Sequence, residues 1–391
     1  MSARVLFYVQ HLLGVGHLRR AEIIAEAMAA SGLDVTIAFG GRAVPEVPFR
    51  AVRVAPLPAA TIANEDFSRL LDEAGTPVDE AWRETRRAAL LDLCRQTRPD
   101  VVLIELFPFG RRQFRFELLP LLEAVESTRP KPFVACSVRD VLVASRRPGR
   151  DDEIVTTLRR FFDAVFVHGD PAFIPFEATF AAADRIADLI RYTGYIVAPA
   201  DDAPAAEGHG EVLVSAGGGA VGGPLLLAAM AARPMTALSD RVWRFLTGPN
   251  LPPTDLRTLA AAAGARTIVE RFRPDFPQRL RVAALSISQA GYNTTMDILR
   301  AGARAVVIPY ETAGETEQRL RADVLGHKGL LTVLPAGELS PEALAAAIAA
   351  ALAKPNANAV TPALSGAART AAIVWAVAER RSAPVDIDGG P

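Results

Sequence analysis

Residues 4–39 read RVLFYVQHLLGVGHLRRAEIIAEAMAASGLDVTIAF. The run 4–9 is apolar and of strand length, 18–30 carries apolar residues at helical spacing and closes on Ser31 and Gly32, and 34–39 is a second strand-like run. Strand, helix and strand at this spacing make a βαβ unit, whose two strands must lie parallel. Working outward, apolar runs at 50–55, 101–104, 132–138 and 164–167 alternate with segments of helical length such as 79–97 and 113–126. The chain is therefore expected to be α/β, a parallel sheet with helices on both faces.

At 199–210 the pattern gives way to PADDAPAAEGHG, a stretch with no apolar period that reads as an interdomain linker. A second alternation begins with EVLVSA at 211–216 and continues through strand-like runs at 242–247, 266–270, 284–288, 304–308 and 331–334 to a terminal helix at 363–381. The expected organisation is an N-terminal Rossmann-like domain over 1–198, a linker over 199–210, a C-terminal Rossmann-like domain over 211–381 and a frayed tail over 382–391. Such sheets bind ligands at the carboxyl ends of their strands, so two of them joined by one linker are expected to face each other across a cleft.

Composition narrows the chemistry. Of 391 residues, 43 are Lys or Arg and 44 are Asp or Glu, leaving no overall positive field of the kind that holds nucleic acid by its phosphates. Cys94 and Cys136 are too few for a disulfide framework and too far apart for a CxxC motif, which fits a reducing cytoplasmic compartment. Mean hydropathy is +0.19, yet it comes from scattered alanines, and no apolar run approaches the ~18 residues of a membrane span. The first residues lack the layout of a signal peptide.

Three glycine-containing loops carry the candidate chemistry. The first, with Gly14, Gly16 and His17, joins the first strand to the first helix, where backbone can approach a ligand and free helical N–H groups favour an anion. It lacks the third glycine of a dinucleotide fingerprint. His17 at the cleft end of that helix could take a proton from a hydroxyl or a water near neutral pH, with an imidazole pKa of about 6 to 7; the plain alternative is a capping or hydrogen-bonded structural histidine. The second, Ser215 to Gly223, holds Gly217, Gly218 and Gly219, whose backbone could approach a diphosphate or could simply allow a tight turn; no Lys-Ser/Thr follows, which argues against a P-loop.

The third is the most specific: SISQAGYNTTMD over 286–297, AGARAVVIPY over 301–310, then Glu317, Gln318 and Arg319. A strand ends in Ser288 and Gly291, and Asn293, Thr294 and Thr295 fall in the first helical turn, where amides and hydroxyls can converge on a phosphate. Asp297, one and a half turns in, could accept two hydrogen bonds from a ribose diol. Ordinary helix caps and a solvated aspartate would read the same way residue by residue.

Together these residues carry a resemblance. The run S-x-x-G-x-x-T-x-x-D, the A-G-A-x-x-V-x-I-P-Y strand and the E-Q-R segment resemble the donor-binding region of GT-B glycosyltransferases, in particular family 28, that of the peptidoglycan-lipid GlcNAc transferase. The first loop resembles that family and also the UDP-sugar hydrolase of the pseudaminic acid pathway. Weaker likenesses at Tyr192 to Tyr195, Thr247 to Pro249 and Val269 to Phe272 keep the same order along the chain.

The resemblance implies a GT-B fold and a metal-independent inverting transfer of a sugar from a nucleotide sugar, UDP-linked by analogy, with no further cofactor. It implies that Ser288, Gly291 and Thr294 hold the diphosphate, that Asp297 holds the ribose where the family usually has Glu, and that Glu317 and Gln318 touch the sugar in place of a Gln-Gln pair. Arg271 and Phe272 would flank the base, and His17 would be the general base. No DxD lies in a suitable loop; Asp386-Ile387-Asp388 is in the tail.

On the acceptor side, an aromatic and basic stretch at 105–116 follows the strand at 101–104. Residues 129–150 add six cations (Arg129, Lys131, Arg139, Arg146, Arg147, Arg150) against Asp140 alone. Such a surface could touch anionic lipid headgroups on the inner face of a membrane, or an acidic acceptor, lipid-linked or small; it could equally be core plus solvated face. Glu105 and Asp140, each after a strand, are reserve candidates for base or acceptor binding, and His168 stands behind them. A hydrolase on the same scaffold, a non-catalytic sugar-nucleotide-binding protein and an epimerase remain as alternatives to the transferase.

Overall fold

The computed structural model describes residues 2–12, 16–45, 47–62, 69–142, 147–198, 205, 207–217, 221–311, 316–354 and 362–382. Among these the chain divides into two compact units. The first takes the residues up to Pro171, Pro175–Ile196 and those from Ser365 onward; the second takes Ala172–Ile174 and Val197–Leu364.

The first unit begins with β1 (Arg4–Val9), whose side chains from Val5 to Val9 are at most 1% exposed, the continuous burial of a strand covered on both faces. There follow α1 (Gly16–Ala30), β2 (Asp34–Phe39), β3 (Arg53–Pro56), a short antiparallel pair β4 (Thr61–Ile62) and β5 (Leu70–Leu71), and α2 (Glu80–Thr97). Asp79 caps α2 by accepting from the Trp82 amide at 2.8 Å. Then come β6 (Val101–Glu105), α3 (Arg115–Ser127), β7 (Phe133–Arg139), α4 (Arg150–Phe161), β8 (Ala164–His168) and β9 (Ile190–Tyr192). The sheet is parallel throughout, in the order β3-β2-β1-β6-β7-β8-β9. Strand order therefore reverses between β1 and β6, and a doubly wound sheet binds ligands beyond the carboxyl ends of the strands at that reversal.

The second unit repeats the plan with β10 (Val212–Ser215), α5 (Gly223–Ala232), β11 (Trp243–Leu246), α6 (Pro253–Ala262), β12 (Thr267–Glu270), α7 (Phe276–Val282), β13 (Leu285–Gln289), α8 (Tyr292–Ala301), β14 (Ala305–Ile308), α9 (Glu317–His327), β15 (Thr332–Val333) and α10 (Pro341–Ala353). Its parallel sheet runs β12-β11-β10-β13-β14-β15, with the reversal between β10 and β13. Two Rossmann-like halves in one α/β chain are what the sequence predicts.

Three expectations change. The strand expected at 50–55 starts only at Arg53, because Phe49 and Ala51 hold left-handed φ values of 47° and 61° that extended chain cannot use. The terminal helix α11 (Gly366–Ser382), expected in the C-terminal domain, packs on α1 in the first unit. It buries Ala371, Val374 and Ala378 completely, and the Gly366 amide donates to the Tyr195 carbonyl at 3.0 Å. The end of the expected linker is folded onto the second unit: the Gly210 amide donates to Val282 at 2.8 Å, and a Cβ on Gly208 would collide with Arg279. Residues 199–204 and 206 of that linker, and 383–391 of the tail with its Asp-Ile-Asp, lie outside the described residues.

Behind the sheet reversal of the first unit sits a buried polar cluster. The Arg86 guanidinium donates to Glu117 Oε2 at 2.7 Å and Oε1 at 2.9 Å, to Gln10 Oε1 at 2.6 Å and to the Gly40 carbonyl at 2.9 Å, while the Tyr8 hydroxyl donates to Glu117 Oε1 at 2.5 Å. Arg86 and Glu117 are both fully buried, so each charge requires the other. The cluster fixes the chain where β1 gives way to the first loop. No helix among the described residues is long and apolar enough to cross a membrane.

Candidate active site

At the reversal of the first sheet, the turn after β1 leads to His17 on the first turn of α1, and Glu105 ends β6 beside it. His17 Nδ1 lies 2.8 Å from Glu105 Oε1. A carboxylate can only accept, so the imidazole proton sits on Nδ1 and Nε2 is left as the acceptor. Arg20, one turn along α1, donates to the same Oε1 at 2.7 Å and brings its nitrogen within 3.0 Å of His17 Nδ1, and Arg111 reaches Oε2 at 3.5 Å. Glu105 and Arg20 are 1% and 2% exposed, whereas the His17 side chain keeps 20% of its surface.

The electrostatics follow from that packing. Burial pushes the His17 pKa down; Glu105 opposes this, while Arg139 and Arg20 reinforce it, and the outcome is about 4. Burial would raise the Glu105 carboxyl, but His17, Arg111 and Arg20 hold it well below the usual carboxylate range. Glu105 is therefore a permanently ionised, internally bound partner of His17, which corrects its reading as a base in its own right. Asp140 is also fully buried, with Oδ1 accepting from the Val141 amide at 2.9 Å. His168 is held between Ser137 Oγ at Nε2 and Thr193 Oγ1 at Nδ1, both 2.8 Å away, and burial keeps its pKa well below the ordinary value. With both nitrogens engaged it is a neutral structural histidine, not a reserve base. Gly16 opens α1 at the surface; Gly14 lies outside the described residues.

At the reversal of the second sheet, Gly217 follows β10 with φ of 58° and open space where a Cβ would stand, so a side chain there would be strained. Gly218 and Gly219 lie outside the described residues. Across from it, Ser288 is fully buried near the end of β13, and Gly291 precedes α8 with extended backbone, no side-chain cap and open space. The hydroxyls of Ser288 and Thr295 are buried without a partner among the described residues. Leaving such groups unpaired costs about 1–3 kcal/mol each, a cost that a bound anion accepting from them would remove. Asn293, Thr294 and Asp297 are half-buried on the first turns of α8. The strand-turn-helix step thus brings together Ser288, Gly291, Asn293, Thr294 and Asp297, beside a helix end suited to a diphosphate.

Glu317 departs from expectation. It is 3% exposed at the start of α9 and accepts from Arg321 Nη2 at 2.7 Å, while Arg321, itself fully buried, lies 5.2 Å from the Tyr292 ring centroid and 3.4 Å from the Ala290 carbonyl. Glu317 is thus an internal ion-pair partner that braces the start of α8, not a group turned out toward a sugar. Gln318 Oε1 accepts from the Tyr310 amide at 3.0 Å and ties the end of β14 to α9. Arg271 and Phe272 follow β12 at the surface; Arg271 donates to the Pro249 carbonyl at 3.1 Å and Phe272 is 61% exposed, an aromatic face open to a planar ring. Sequence reasoning assigned no role to Arg20, Arg111 or Arg321. The i,i+3 spacing of His17 and Arg20 and the i,i+4 spacing of Glu317 and Arg321 are the signals that could have found two of them.

The two parallel sheets with their helices give the chain the fold of the GT-B glycosyltransferases. Residues 242–373 match the glycosyltransferase family 28 C-terminal domain, a segment of about a third of the chain that ends inside α11. The UDP-N-acetylglucosamine--N-acetylmuramyl-(pentapeptide) pyrophosphoryl-undecaprenol N-acetylglucosamine transferase of Mesorhizobium japonicum is 27% identical over 352 residues, 87% of this chain and 85% of that protein. The enzyme of the same name from Rhodospirillum centenum is 33% identical over 95 residues, a match that spans 24% of this chain and 25% of that relative's length. The match to the relative from Agrobacterium fabrum likewise spans 46% of its length. The crystal structure of Acinetobacter baumannii MurG superposes with a TM-score of 0.57 over 97% of this chain and 100% of that one at 13% identity, a likeness of fold.

Proposed function

We propose that the protein transfers a sugar from a nucleoside diphosphate sugar to an acceptor hydroxyl with inversion, using His17 as general base. The observation that carries the reading is the 2.8 Å contact between His17 Nδ1 and the buried Glu105 carboxylate, which leaves Nε2 unprotonated at the carboxyl end of the central strands. The acceptor oxygen attacks the anomeric carbon as its proton passes to Nε2. The bond from that carbon to the diphosphate breaks, and its electron pair leaves with the nucleoside diphosphate. Glu105 stabilises the imidazolium as it forms, and Arg20 and Arg111 keep Glu105 ionised while this happens.

The donor belongs to the second unit. The N-terminus of α8, with the hydroxyls of Ser288 and Thr294, would meet the negative charge that grows on the leaving diphosphate, a role that needs no metal. Asp297 would take the ribose diol and Phe272 would stack on the base. A UDP-sugar is favoured because the 27% identical relative from Mesorhizobium japonicum is named for UDP-N-acetylglucosamine. That relative's printed acceptor is lipid-linked, which makes a lipid-linked acceptor the first to try.

The test is product analysis with UDP-N-acetylglucosamine and a panel of lipid-linked and soluble hydroxyl acceptors. Acceptor-dependent UDP release with a glycosylated product of opposite anomeric configuration is expected. UDP and free sugar released at equal rates with and without acceptor would make the protein a hydrolase instead.

A further inference from the structure

Beyond β6, on the surface of the first unit, the chain turns through Leu106 and Arg111, both with left-handed φ, into a single 3-10 turn at Arg112–Phe114 and then α3. This brings Arg112 and Arg115 beside Arg147 and Arg150, which precede and open α4. The pocket between them is walled by Phe107, Pro108 and Ile154. Its carboxylates are few. Glu153 accepts from Arg147 at 2.7 Å and stands 3.5 Å from Arg115, and Asp151 acts on Arg150 from a distance. The Arg112 side chain has no hydrogen bond or ion pair among the described residues. Arg150 donates to the Phe109 carbonyl, and Phe109 is itself wedged edge-on against Phe176 and Phe180, so that guanidinium hangs from a rigid wall.

Three guanidinium groups, those of Arg112, Arg115 and Arg150, line one small concavity with the single carboxylate of Glu153, and Arg147 pairs with that carboxylate from beside it. Burial and the neighbouring charges of Arg112 and Arg147 lower the Arg150 pKa, the mark of cations held together without enough anion between them. Guanidinium is planar, stays charged and matches two oxygens of a phosphate at once, which lysine does not. A surface built only for solubility would place such groups apart.

We propose that this pocket binds a phosphate-class anion, a phosphomonoester or diphosphate group, gripped by Arg112 and Arg150 with Arg115 and Arg147 at its rim. The site rests on no step of the sugar transfer and would stand if that reading failed. The group could belong to a soluble phosphorylated molecule or to a lipid headgroup, and the two are separable.

Inorganic pyrophosphate is titrated calorimetrically into the full chain at fixed ionic strength, with chloride as control. A saturable component is expected that weakens tenfold or more in Arg112→Ala and vanishes in Arg112→Ala/Arg150→Ala. The single variant changes an exposed, partnerless side chain, so it keeps the test sound if the double variant misfolds. Co-sedimentation with phosphatidylglycerol vesicles that pyrophosphate competes away, lost in Arg112→Ala, would assign the phosphate to a headgroup; pyrophosphate binding without sedimentation would assign it to a soluble ligand. An isotherm unchanged by Arg112→Ala, or no more heat than chloride gives, would overturn the proposal.

Discussion

His17 has its proton fixed on Nδ1 by a carboxylate that is itself neutralised by two arginines. As the proposed base it would stay unprotonated in acid: the acidic limb of kcat/KM is expected near pH 4, below the 6 to 7 that an ordinary imidazole suggests. A pH–rate profile of the wild type checks this, and a limb near 6.5 would mean that the buried arrangement does not persist in solution. The same shift has a stability side. Between about pH 6.5 and 4 the unfolded chain binds a proton at His17 that the native chain does not, so stability falls as pH falls through that window. Urea unfolding of wild type and His17→Gln should converge at acid pH, since the glutamine takes up no such proton on unfolding. Glu317 makes an opposite kind of claim. Because it faces Arg321 in the interior, Glu317→Ala is expected to cost about 3–5 kcal/mol in chemical unfolding, the loss from stranding a buried charge. A sugar-contacting glutamate would instead raise KM with stability unchanged. His17, Ser288 and Asp297 were legible as residues because strand-end glycines and helix starts mark ligand-facing positions. The partners Glu105–Arg20 and Glu317–Arg321 were not, because pairing across elements depends on which side chains the sheet order brings together.

At the scale of elements, the central strands and helices such as α1, α2 and α3 could be read from apolar period, since central parallel strands are buried on both faces and their helices on one, whereas the short strands β4, β5 and β9 and helices α4, α6 and α7 were not read. What periodicity does not encode is allegiance. Helix α11 has an apolar stripe that would fit either unit, and only its packing on α1 shows that it closes the first. A fragment covering 205–364 is therefore expected to unfold cooperatively by itself, while one extended to 381 would expose Ala371, Val374 and Ala378 and aggregate more readily. Conversely, ending the full chain at 364 should destabilise the first unit and leave the unfolding transition of the second in place. Calorimetry of the truncated chain decides this: loss of the second unit's transition, with the first intact, would reverse the assignment.

For the molecule as a whole, each sheet gathers its candidate residues at its own reversal point: His17 and Glu105 between β1 and β6, and Gly217 and Ser288 between β10 and β13. The proposed reaction would divide its labour accordingly, with nucleotide recognition in the second unit and proton transfer in the first. Binding and chemistry should then respond to different substitutions. The measurement that bears on this most directly is the affinity for UDP, by calorimetry, in wild type, Asp297→Ala and His17→Ala, with turnover recorded on the same preparations. Asp297→Ala is predicted to weaken UDP by about 1–3 kcal/mol, as for an unpaired charged hydrogen bond. His17→Ala is predicted to leave that affinity nearly unchanged while turnover drops by ~10²- to 10⁴-fold. Equal loss of UDP affinity in both variants, or undiminished turnover without His17, would contradict the account.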